Sequence, residues 1–204
     1  MHYLFKQKMK LTFNSPVILI FSAICAGVYL LQSMGISGDL FVLKPSWDMS
    51  NPVWYFRIFS HVVGHANMEH LMGNLAFILL LGPIVEEKYG AKNLIIMMFS
   101  TALLTGLIHI TFSNSGLLGA SGIVFMLILL VSLVNFKNKE IPLTFVLIVL
   151  VYIGKEVIGT FSDDQVAHST HIVGGIVGAA FGFMLKNKKG AKKSTSGDID
   201  ILKP

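Results

Sequence analysis

Six apolar runs, at about residues 16–34, 67–86, 93–112, 119–135, 141–159 and 166–186, set the frame for anything this chain can fold into. A helix rises about 1.5 Å per residue and the hydrocarbon core of a bilayer is about 30 Å thick, so each run is long enough, or nearly so, to cross it. Only 13% of the 204 residues are charged, against 53% that are hydrophobic. A soluble domain carries about a quarter charged residues. This chain cannot cover a globular surface with polar groups, but it can face lipid. The expected fold is an all-α membrane protein with six transmembrane helices. The first run follows a basic start, and its length suits an uncleaved spanning helix better than the core of a signal peptide.

Charge gives the orientation. In a six-span arrangement Lys6, Lys8, Lys10, Lys88, Lys92, Lys137, Lys139 and the cluster from Lys186 to Lys193 fall on one side. The other side holds Lys44 and Arg57, with Lys155 near an outer helix end. Lysine and arginine stay on the cytoplasmic side, which predicts cytoplasmic N and C termini in a multi-pass cell-membrane protein. The formal charge of +5 does not imply a nucleic-acid partner. The basic residues flank apolar runs and form no basic stripe interleaved with aromatics. Residues 1–15 read as a basic cytoplasmic start and 187–204 as a disordered tail rich in Lys, Ser, Gly and Asp. The stretch 35–66, with Pro45, Trp47, Pro52 and Trp54, is too apolar for an ordinary loop and too broken for a spanning helix. It is expected as a partly lipid-embedded hairpin. The one cysteine, Cys25, excludes a disulfide within the chain.

Ionisable groups inside a bilayer are costly and mark function. The second run is led in by His61 and His65 and opens with Asn67, Glu69, His70 and Asn74, the fourth opens with Gly119-Ala120-Ser121-Gly122, and the sixth with Gln165, His168 and His171. Depth follows from counting to the cytoplasmic charges. Ser121 precedes Lys137 by 16 residues, His70 precedes Glu86 by 16 and His171 precedes Lys186 by 15. These counts correspond to about 22–24 Å of helix. Three polar side chains from three parallel spans therefore share one level below the outer surface. The fourth run is too short beyond Ser121 to reach both surfaces, so residues 112–118 must enter the membrane as irregular backbone. Such backbone is tolerated at depth where it is buried in protein or lines a wet cavity. Gly174, Gly178 and Gly182 recur every fourth residue, a face that lets another helix approach closely. If that face meets the fourth run, His171 points towards Ser121.

These residues together resemble the rhomboid intramembrane serine proteases. The resemblance rests on Gly119-Ala120-Ser121-Gly122, on His171 with Gly174 and Gly178, on His61, His65, His70 and Asn74, on Glu86 with Gly90, and on Arg57. It covers about residues 16–186, which would form the protease domain. It implies a serine-type endopeptidase acting on transmembrane protein substrates within the lipid bilayer, with no cofactor and no metal, in a bacterial cytoplasmic membrane. Ser121 would be the nucleophile and His171 its base, as a dyad. The Ser121 N–H, His70 and Asn74 would hold the oxyanion. A small residue before the cut is implied in the same way. Two positions depart from the family. Phe56 precedes Arg57 where the family often has Trp, and Phe125 stands where many members have Tyr, so an aromatic packing face for His171 is kept and a hydroxyl is lost.

Other readings attach to the same residues. His168, one turn from His171, would line the water entry, and His61 and His65 would bond the first loop. His109 is expected at the interface or facing water, and Glu86 as a cap for backbone or a partner for lysine. Five histidines could instead bind a transition metal in a carrier, although no His-Glu-x-x-His pattern is present and Gly119 to Gly122 would go unexplained. A non-catalytic rhomboid-like protein that only binds membrane helices is the other alternative; such a protein would be expected to lack the serine or the histidine.

Overall fold

In a computed structural model of the chain, residues 12–36, 38–133, 141–159 and 168–192 are described, without the side chains of 38, 155, 156, 159 and 186–192. Lys6, Lys8 and Lys10 of the expected basic start, Gln165, the lysines at 137 and 139 and most of the tail lie outside the described residues.

The described chain is helical, with one isolated β-bridge between Leu43 and Leu117. Its helices are α1 (Pro16–Ser33), α2 (Pro52–Ser60), α3 (Met68–Tyr89), α4 (Ala91–Phe112), α5 (Ser121–Ser132), α6 (Leu143–Ile148), α7 (Gly154–Gly159) and α8 (His168–Lys192). A π-helical turn, Val149–Ile153, joins α6 to α7. Among the described residues, α1, α3, α4 and the stretch His168–Leu185 of α8 are long and apolar enough to cross a membrane, while α5 and Leu143–Ile153 are apolar but shorter. Large side chains on the outside agree with a lipid surround: Leu80 is 67% exposed and Phe99 58%. A soluble protein would not leave so much apolar surface in water.

Each boundary has a local cause. Pro16 opens α1, where its missing N–H costs nothing. Ser15 makes no side-chain cap; the Glu86 carboxylate accepts from the N–H groups of Val17 and Ile18 instead, at 3.1 Å each. This matches the capping role expected for Glu86 and fastens the start of α1 to the end of α3. Asn51 and Asn67 cap α2 and α3 through their side-chain carbonyls. Gly90, at φ +83°, turns α3 into α4 in a conformation that favours glycine.

The first loop is a folded unit. Trp54 and Ile58 of α2 pack with Leu43, Ile110 and Leu117, and the Trp54 indole N–H donates to the Ser46 carbonyl at 2.8 Å. Tyr55 and Phe56 remain exposed on the other side of α2. The centre of the molecule is α5, buried from Gly122 to Leu130. A helix apolar on all sides belongs inside a bundle. It packs with α3, α4 and most closely α8.

Candidate active site

The backbone before Ser121 is irregular and held from outside. Leu43 and Leu117 exchange N–H···O bonds of 2.9 Å, and the Gly119 N–H donates to the His61 carbonyl at 2.8 Å. Gly119 has φ +123°, and a Cβ there would sit 2.5 Å from Cε1 and 2.7 Å from Nε2 of His70. Glycine is needed at this point both for the turn and for the imidazole against it. Ser121 then opens α5 and is half-buried. Its N–H belongs to the first turn, whose donors have no acceptor within the helix.

The glycine face of α8 lies on α5. A Cβ on Gly174 would overlap the Gly122 carbonyl, and one on Gly178 would overlap that of Met126. Gly122 in turn faces Thr170 and Thr105, with the Thr170 carbonyl 3.5 Å from an added Cβ. The residue after Ser121 thus lies against the residue before His171. One turn into α5, the Phe125 ring stacks on the His171 imidazole, with centroids 4.5 Å apart and planes at 5°. His168 meets His171 edge-on at 6.4 Å.

From α3, His70 is half-buried, and its ring lies against Gly119, two residues before Ser121. Asn74, one turn further along α3, is buried, and its Nδ2 has no hydrogen-bond partner among the described residues. The His65 ring meets His70 edge-on at 5.1 Å.

His61 and His65 bond the first loop as expected: their Nδ1 atoms face the carbonyls of Arg57 at 3.3 Å and Val63 at 3.2 Å. A ring nitrogen facing a carbonyl must donate. Both rings lie outside the spanning helices, and burial lowers each pKa from 6.5 to about 4; repulsion from His70 acts in the same direction on His65. His109 departs from expectation. It is 2% exposed rather than interfacial, and its Nε2 bonds the Ser115 carbonyl at 2.9 Å, so it holds the segment leading to Ser121. Arg57 also serves the loop, its Nε donating to the Asp39 carbonyl at 2.9 Å. Among the described residues no three His, Cys, Asp or Glu side chains converge as a metal would require.

Sequence reasoning passed over Thr105, Thr170 and Tyr152. Thr170 stands next to His171, a signal that was there to read. Tyr152 lies in an apolar run with nothing to single it out, and its ring meets Phe125 edge-on at 6.2 Å.

An all-helical chain with apolar helices of membrane-spanning length agrees with comparison to known proteins. The rhomboid domain model matches residues 53–188. The chain is 27% identical over 177 residues to rhomboid protease GlpG of Haemophilus influenzae, covering 84% of this chain and 91% of that one. It is 31% identical over 178 residues to rhomboid protease GlpG of Salmonella typhi, covering 83% of this chain and 63% of that one. The chain therefore spans nearly all of the first relative and under two thirds of the second. It belongs to the rhomboid family.

Proposed function

We propose that this chain hydrolyses peptide bonds in or near transmembrane segments of membrane proteins, with Ser121 as nucleophile and His171 as its base. Family membership makes it a multi-pass membrane protein and a serine-type endopeptidase. The observation that carries the residue assignment is the seam at which Gly122 meets Thr170 and Gly174 while Phe125 stacks on His171.

A serine hydroxyl becomes a competent nucleophile when a neutral imidazole removes its proton as it attacks. His171 takes that proton and returns it to the leaving amine; a water then repeats the sequence to release the acyl group. The negative charge on the carbonyl oxygen needs donors already in place. The Ser121 N–H at the start of α5, the His70 imidazole and the Asn74 amide supply them. A buried Asn74 NH2 with no other partner among the described residues is a donor open to such a charge. Because a helical backbone has its own bonds satisfied, the substrate segment must unwind locally, which favours Gly, Pro or polar residues at the cut. The positions of the lysines orient the six-span bundle with both termini in the cytoplasm and the site near the outer face of a bacterial cytoplasmic membrane.

The test is cleavage of a transmembrane substrate by purified protein in liposomes. Ser121→Ala and His171→Ala each lose at least about a thousandfold in kcat. Cleavage by Ser121→Ala at the wild-type rate, or its abolition by chelators, contradicts the proposal.

A further inference from the structure

The segment Leu143–Ile153 contains no fully buried residue, and Leu147, Leu150 and Val151 face outward. Its π-helical turn nevertheless sends two consecutive residues into the bundle. Tyr152 meets Phe125 of α5 edge-on, with ring planes at 77°. Ile153 fills the space beside Gly175 of α8, its Cδ1 lying 2.6 Å from where a Cβ on that glycine would be. A π turn holds one more residue than an α turn and changes the direction of the side chains that follow, and such turns are frequent at functional sites.

Three rings from three segments therefore stand in series: Tyr152, Phe125 and His171. The middle ring is the point of interest. A phenyl ring turns about Cβ–Cγ in a broad well. A stack with planes at 5° persists only if something stops that rotation. A second ring edge-on to Phe125 does so, because rotation of Phe125 would drive its edge into Tyr152. We propose that Tyr152 is a positioning residue for His171, fixing the plane of Phe125 and through it the plane of the imidazole. The inference rests on His171 being the base. It ties the orientation of that base to the seating of a lipid-exposed segment on the bundle.

Fluorophosphonate labelling separates this role from substrate entry, because the small probe needs an activated Ser121 but no transmembrane helix at the site. Full-length wild type, Tyr152→Leu, Tyr152→Phe and the outward-facing control Val151→Ala are compared in liposomes. Labelling rate, kcat and KM on a transmembrane substrate are normalised to the folded fraction by circular dichroism. Tyr152→Leu should lower the labelling rate and kcat together, by about three- to tenfold, with KM within about twofold. Tyr152→Phe should recover both, since the ring and not the hydroxyl makes the contact, and Val151→Ala should behave as wild type. If Tyr152→Leu folds poorly, Tyr152→Met supplies a second non-aromatic side chain and carries the same expectation. The proposal is overturned if labelling is unchanged while KM alone rises, or if Tyr152→Phe is as impaired as Tyr152→Leu. Labelling that survives His171→Ala would instead overturn the dyad, a separate result.

Discussion

The imidazole of His171 lies parallel to the ring of Phe125, with 4.5 Å between centroids. A catalytic histidine must be held in one plane to face its serine, and ring stacking can hold it. Phe125→Leu keeps an apolar side chain but loses the flat surface. It should lower kcat about tenfold with KM nearly unchanged, and Phe125→Tyr should retain most of the rate. Steady-state kinetics on a transmembrane substrate checks both.

Gly174 touches the Gly122 carbonyl so closely that no side chain fits between them. Gly174→Ala must push α8 away from α5, at a cost of about 1–3 kcal/mol. It should also lower kcat about a hundredfold, because an ångström at the reacting groups is felt strongly. Gly27→Ala in α1 is the control, since a Cβ there meets nothing within 4 Å. Its Tm should equal or exceed that of wild type, as alanine favours helix.

Glu86 caps α1 from another helix, accepting two backbone N–H groups. Glu86→Ala leaves them without acceptors and should destabilise the fold by about 2–4 kcal/mol. Glu86→Gln keeps one carbonyl oxygen and should lose less. Since the carboxylate lies away from Ser121, kcat of the folded protein at low temperature should match wild type in both. Thermal melts in detergent with kinetics alongside separate the two effects.

Acid should weaken the fold through His61 and His65. In the unfolded chain both rings take up protons as pH falls through 6.5, while in the folded chain burial keeps them neutral to about 4. The unfolded state therefore binds more protons in this window, and stability falls as pH falls, by about 2 kcal/mol per ring at pH 5. Tm should be flat from pH 7 to 8 and decline from 6.5 towards 4. A Tm that holds steady to pH 4.5 would contradict this.

What could be read from residues was what has one physical use. A glycine every fourth residue on α8 serves close approach, and the structure sets that face on α5. Polar side chains within apolar runs had to be gathered, since lipid offers them nothing. Pairings across long separations were harder. Glu86 could be read as a cap, but not as the cap of α1, 68 residues earlier in the chain. His109 looked interfacial from its place near a helix end, yet the descending segment folds over it and takes its ring nitrogen. Tyr152 was hidden because a π turn leaves no mark in an apolar run, and it is the turn that aims the ring.

Activation of Ser121 by His171 is tested most directly by covalent labelling. Wild-type protein in liposomes is treated with a fluorophosphonate, digested and analysed by mass spectrometry, alongside His171→Ala and Ser121→Ala. One adduct is expected, on Ser121, with labelling lost in both variants. An adduct on another residue, or labelling of Ser121 at the wild-type rate in His171→Ala, would contradict it.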